Sequence, residues 1–247
     1  RLGGAIWRSG VWIGQQGNAM RIAISGSHSL GKSTLVRDFQ AAHPDFQLFD
    51  EPYRELVARR ERIHFGERAS QRCNRLMTQH AIDRINQARL QMPETRVICD
   101  RSCLDFIPYS LYARAMGSNE GLPRGERLRT VEVRPDMQEK NELPFPSDIN
   151  AAFIEQLWSM ILESQALASY DLIAFLPLTG EPGIDPCLEN DGIRSVEGAY
   201  RAWVDAAFKQ LYRHDLPARC PQACRVVEIS GGRPERVKSL EEAIGLV

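Results

Sequence analysis

The residues best equipped for chemistry lie between positions 26 and 34. There Gly26-Ser27-His28-Ser29-Leu30-Gly31-Lys32-Ser33-Thr34 fits the spacing G-x-x-x-x-G-K-[ST]. The spacing has a physical use. Its two glycines permit backbone angles that aim successive N–H groups at one point, and a helix opening at Lys32 adds the partial positive charge of its N-terminus. Such a loop cradles phosphates. The expected division of labour places Lys32 between the β- and γ-phosphates of a nucleoside triphosphate, with Ser33 as a ligand of Mg²⁺. His28 reads as an exposed position of the loop with no catalytic demand on it. The loop is flanked by a strand-like run, RIAIS (21 to 25), and by a helical stretch, the context the motif requires.

Three other clusters suit phosphoryl transfer: Asp50-Glu51-Pro52, Asp100-Arg101-Ser102 and Asp191-Gly192-Ile193-Arg194. A carboxylate can orient or deprotonate an acceptor hydroxyl, an arginine can neutralise the phosphoryl in flight, and an aspartate can hold Mg²⁺. Glu51 is the first candidate for the base, because an ionised carboxylate beside a phosphate loop is electrostatically awkward unless an acceptor or a metal uses it. Asp50 is its rival. Asp100 closes an apolar run and reads either as a metal-holding acid or as the cap of the following helix. Asp105 and Tyr109, four apart, either face the acceptor or pack in the core. Arg101 and Arg194 join Lys32 and Glu51 as the catalytic candidates. Arg201, seven residues after Arg194, either shares its direction or is a solvated charge.

Five short β-rich runs can position these groups: 21 to 25, 46 to 50 (FQLFD), 96 to 100 (RVICD), 171 to 178 (DLIAFLPL) and 225 to 230 (RVVEIS). Most are apolar on consecutive positions, the pattern of strands covered on both faces in a parallel sheet. Helical stretches at 32 to 42, 67 to 91, 149 to 168, 196 to 213 and 235 to 244 separate or follow them, so the expected fold is a doubly wound α/β sheet. In such a sheet ligands sit beyond the carboxyl ends of the strands, where the charged clusters fall. Residues 117 to 146 are polar and punctuated by Gly and Pro, and read as a lid or substrate loop inserted into one domain spanning 20 to 247. Residues 179 to 195 form a second long connection.

The bulk numbers exclude several classes. With 31 Lys and Arg against 32 Asp and Glu, the formal charge is −1, so no overall field draws the protein to nucleic acid. No run approaches the ~18 apolar residues of a membrane span. The six cysteines lack zinc or disulfide-framework spacing, which suggests a reducing, cytoplasmic setting. Residues 1 to 19 are expected to lie outside the fold, with Met20 directly before the first strand.

Taken together, the phosphate loop after RIAIS, the FDEPYRE and CDRSCLDFIPY segments, and YDLIAFLPL followed by NDGIRS resemble the P-loop kinase branch that contains nicotinamide riboside kinase domains and related AAA-type ATP-binding proteins. Deoxynucleoside and thymidylate kinases look like more distant relatives. The resemblance runs from about Arg21 to Ile244. It implies a P-loop NTPase fold of five parallel strands in which the third lies between the second and the first. It also implies ATP and Mg²⁺ as cofactors. By the same resemblance the acceptor carboxylate falls on Asp50 or Glu51, the Asp-Arg segment on Asp100 and Arg101, and the lid arginine on Arg194, with Arg201 as a second candidate. The expected activity is transfer of the ATP γ-phosphoryl to a nucleoside-like small molecule such as nicotinamide riboside or a nucleoside. A regulatory nucleotide-binding module without an acceptor is the alternative. Residues 117 to 146 are longer and more polar than a minimal nucleoside kinase requires, and no segment reads acceptor identity.

Overall fold

The computed structural model describes residues 19–65, 69–118, 147–180 and 198–246. The N-terminal extension up to residue 18, most of both long connections, and Arg194 with them lie outside the described residues.

Five parallel strands form the sheet: β1 (Arg21–Ser25), β2 (Phe46–Phe49), β3 (Arg96–Asp100), β4 (Leu172–Phe175) and β5 (Arg225–Glu228), in the order β2-β3-β1-β4-β5. The third strand therefore does sit between the second and the first. Ile24 pairs with Asp100 on one side and Ala174 on the other, which brings the ends of β3, β1 and β4 to one edge. Consecutive apolar residues are what a strand covered on both faces needs, and all four residues of β4 are buried, whereas the edge strand β5 is half exposed. Helices α1 (Lys32–Ala42) and α8 (Arg233–Ile244) cover one face over Leu35, Phe39 and Leu240. The other face is covered by α3 (Gln71–Gln91), α4 (Phe106–Ser118), α5 (Ala151–Glu163) and α6 (Gly198–Gln210), around Ile85, Phe153, Leu157, Phe175 and Phe208.

The element ends differ from the sequence expectations for local reasons. The second strand stops at Phe49 because Asp50 turns its Oδ1 back onto the Glu51 N–H at 2.8 Å, and Pro52 then opens α2 (Pro52–Ala58), a helix the periodicity did not reveal. The helix expected from residue 67 begins at Gln71, capped by Ser70, whose side chain accepts from the Cys73 N–H. Asn150 caps α5 in the same way through the Phe153 N–H. Gln165, at φ 55°, breaks α5 and leaves a 3-10 turn over Ala166–Ser169. The helix expected to run to 213 changes pitch into a π-helical turn at Leu211–Asp215, followed by the short α7 (Leu216–Arg219). The α4 helix was not expected from the sequence, because Pro108 near its start and Gly117 at its end obscure the period. Among the described residues no helix is long and apolar enough to cross a membrane.

Candidate active site

The strand edge just described gathers the candidate residues. The loop between β1 and α1 holds Gly26 at φ 140°, Ser29 at φ 53° and Gly31 at φ 78°, left-handed turns that make the loop a cup. Gly26 also has no room for a side chain, since a Cβ there would stand 2.6 Å from the Leu176 carbonyl oxygen on β4's continuation. Gly26→Ala is expected to cost about 1–3 kcal/mol of stability from backbone strain and to abolish detectable binding of a fluorescent triphosphate analogue. A thermal melt paired with that titration checks both effects.

Lys32 lies within the cup and donates from Nζ to the Ser27 carbonyl at 2.5 Å. Burial, and next the charge of Arg101, pull its amine down to about 7, while Asp100, Glu51 and Asp105 pull the other way. A bound polyphosphate would supply the missing negative charge. Ser33 Oγ donates to Asp100 Oδ2 at 2.5 Å. Asp100 is thus directed at the phosphate loop and does not cap a helix. Its Oδ1 is buried without a hydrogen-bond partner. Burial and the Glu51 charge push this carboxyl up from its ordinary range. An orphaned carboxylate oxygen beside a serine hydroxyl is a hard-oxygen pair that fits Mg²⁺. Among the described residues no group of three or more His, Cys, Asp or Glu could hold a metal alone, so a metal here would share its coordination with phosphate oxygens.

Across the cup from Lys32, Arg101 donates from Nε to Glu51 Oε1 at 2.6 Å, with both side chains buried. Arg101 stands at φ 96°, a strained angle for a residue with a side chain, directly after β3. Burial opposes its charge, but Tyr109, Glu51 and Asp105 outweigh it and hold the guanidinium firmly protonated. Asp50, by contrast, is 43% exposed and accepts from Arg54 at 3.0 Å. Of the two rivals only Glu51 lines the cavity. Tyr109 reaches the group, its hydroxyl 3.4 Å from Arg101 Nη1. Asp105 corrects an expectation: it is fully buried beneath the strand ends, where Oδ1 accepts from Ser25, from the Ser102 hydroxyl and from the Ser102 N–H, so it does not face an acceptor. His28 corrects another, being buried and stacked on Tyr200 with ring centroids 4.7 Å apart. Arg201 does point to the loop, its Nη1 3.5 Å from the Ser29 carbonyl oxygen.

A cavity of about 350 Å³ is lined by Lys32, Ser33, Glu51, Asp100 and Arg101. Lys32, Arg37, Arg54, Arg101, Arg233 and Arg236 line it against Asp38, Glu51 and Asp100, a basic excess suited to an anion. Four lining arginines escaped the sequence reading: Arg54, Arg37, Arg233 and Arg236. Arg236 donates from Nη1 to the Leu30 carbonyl at 2.5 Å and from Nε to the Gly231 carbonyl at 2.7 Å, tying the phosphate loop to the turn after β5. The signal available for it was the segment Gly231-Gly232-Arg233-Pro234-Glu235-Arg236, a helix start directly beyond a strand end.

A parallel sheet ordered 2-3-1-4-5, with a G-x-x-x-x-G-K-S loop between its first strand and first helix, defines a P-loop NTPase fold. The chain belongs to the AAA domain family, whose model matches residues 21–236. Among solved structures it is similar to a NadR protein in complex with NR, at 19% identity and TM-score 0.55, over 92% of this chain and 52% of that one. A NadR protein in complex with NAD and AMP-PNP aligns over 92% of this chain and 50% of that one, at 16% identity and TM-score 0.53. Thymidylate kinase from Candida albicans aligns over 94% of this chain and 93% of that one, at 16% identity and TM-score 0.52. The chain thus shares its fold with kinases and spans about half the length of the NadR proteins it matches. No curated protein matches its sequence.

Proposed function

We propose that the protein is a Mg²⁺-dependent kinase that transfers the γ-phosphoryl of ATP to a hydroxyl of a nucleoside-like small molecule. The observation that carries this reading is the Glu51 carboxylate on the wall of the cavity that Lys32 also lines, clamped by Arg101 at 2.6 Å. A carboxylate there repels the phosphates it faces, and taking an acceptor proton gives its burial beside the loop a use. In the proposed reaction the acceptor oxygen bonds to the γ-phosphorus, the bond from the γ-phosphorus to the β–γ bridging oxygen breaks, and ADP leaves with that oxygen. Glu51 takes the acceptor proton. The loop N–H groups and Lys32 hold the β- and γ-phosphates, and Arg101 stands beside the transferring group. Ser33 and Asp100 would hold Mg²⁺, which neutralises phosphate charge when bound with the nucleotide. Arg194 is carried into this reading as the lid arginine, from the resemblance alone. The compartment proposed is the cytoplasm.

A coupled ADP-release assay across ribonucleosides, deoxynucleosides, nicotinamide riboside and nucleoside monophosphates tests the reading. ADP production is expected to depend on both an acceptor and Mg²⁺ and to vanish in excess EDTA. Acceptor-independent hydrolysis, or bound ATP with flat background for every acceptor, would support the regulatory nucleotide-binding module instead.

A further inference from the structure

Beneath the cavity lies a buried polar network that the reaction above does not use. Ser25, Ser102 and Asp105 are fully buried, and Tyr212 is 5% exposed. Ser25 and Ser102 each donate a hydroxyl proton to Asp105 Oδ1, both at 2.6 Å. Those serine protons being spent, the Tyr212 hydroxyl, 2.6 Å from Ser25 Oγ, must be the donor in that pair. All the protons thus run toward Asp105, whose other oxygen, Oδ2, lies 3.5 Å from Arg101 Nη1. Arg101 in turn grips Glu51. We infer that Asp105 and Tyr212 are positioning residues for Glu51, acting through Arg101; the inference rests on the kinase reading above.

Three features support it. Arg101 spans two carboxylates, so its guanidinium is oriented from below by Asp105 as well as from the cavity by Glu51. Its backbone, held at φ 96°, is in a strained conformation that the surrounding contacts must hold in place. Tyr212 occupies the π-helical turn at Leu211–Asp215, where the change of pitch rotates it inward against Phe175, at a ring distance of 5.1 Å. Burying a carboxylate and three hydroxyls is costly unless every member is satisfied, and here each one is.

The test uses Tyr212→Phe and Asp105→Asn in the full chain, with two readouts. Turnover is expected to fall about tenfold in Tyr212→Phe and further in Asp105→Asn, while acceptor KM and AMP-PNP affinity stay within about twofold, because the lost quantity is geometry at the reacting atoms. In ¹⁵N-arginine-labelled protein without nucleotide, the Arg101 Nε–H, shielded by its bond to Glu51, is expected to lose its slow exchange in both variants. Tyr212→Phe keeps the ring and its packing, so it reports on the network even if Asp105→Asn does not fold. Wild-type turnover with unchanged kcat in Tyr212→Phe overturns the inference, as does an Arg101 signal as protected as in the wild type. Absence of acceptor-dependent turnover in the wild type overturns the kinase reading, and the Arg101 signal then decides the network alone.

Discussion

Glu51→Gln is expected to leave triphosphate binding within about threefold of wild type and to slow acceptor-dependent ADP formation by about 10²- to 10⁴-fold. The separation of the two effects follows from the geometry. Glutamine keeps an Oε1 that accepts the Arg101 Nε–H, now made at 2.6 Å, so the wall of the cavity and the packing of a residue only 3% exposed are preserved. Arg101 also keeps Asp105 as a counter-charge. What disappears is the only proton acceptor that the Glu51 side chain can offer a hydroxyl. Asp50→Asn is the matched control: its carboxylate is half exposed, turned toward Arg54 and the Glu51 N–H, and its loss is expected to change turnover by less than about threefold. The measurement is a coupled ADP assay alongside an AMP-PNP titration of each variant. Full activity in Glu51→Gln with a collapse in Asp50→Asn would transfer the role of base to Asp50.

Lys32→Ala is expected to weaken triphosphate binding by about ten- to a hundredfold or more, the loss of a charge-assisted contact in a buried site. The same lysine sets a pH dependence whose sign is fixed. Without nucleotide, its amine sits at about 7 against 10.5 for an exposed lysine, chiefly because it is buried. The phosphates favour the ammonium, so above about pH 7 binding takes up a proton, and affinity falls by up to about tenfold per pH unit. Nucleotide-free stability responds in the opposite direction. Between about 7 and 10.5 the unfolded chain holds more protons on Lys32 than the folded one, so this residue makes stability rise with pH across that window. Titration calorimetry in buffers of different ionisation enthalpy reads the proton uptake, and Lys32→Met removes it. Affinity that is flat from about pH 7 to about pH 9 would sink the account.

Much of the candidate phosphate site was legible without coordinates. The phosphate loop is local: its glycines, lysine and serine are consecutive, so their type and spacing nearly dictate the cup, and Gly26 and Gly31 do take positive φ. The five strands were legible because burial on both faces leaves unbroken apolar runs, while their ends shifted by a few residues wherever one hydrogen bond, such as that of Asp50 or Ser70, decided the boundary.

The distinctions that matter for mechanism are non-local. Asp50 and Glu51 are adjacent in the chain, yet one is turned to solvent and the other is buried on Arg101, fifty residues away in sequence. Asp100 could have capped a helix, and only the pairing of Ile24 with Asp100 brings it against Ser33. For Asp105 the sequence leaves acceptor and core both open, because its spacing from Tyr109 says nothing about the hydroxyls of Ser25 and Ser102 that enclose it. Tyr212 carried no motif, and Arg236 only the signal of a helix start beyond a strand end. Their places follow from a π-helical turn and from a helix that begins just past β5. A chain records which groups can do chemistry and which stretches can be strands. Which carboxylate loses its water, and which arginine it finds when it does, is settled when distant segments pack and the desolvated charges must be paired.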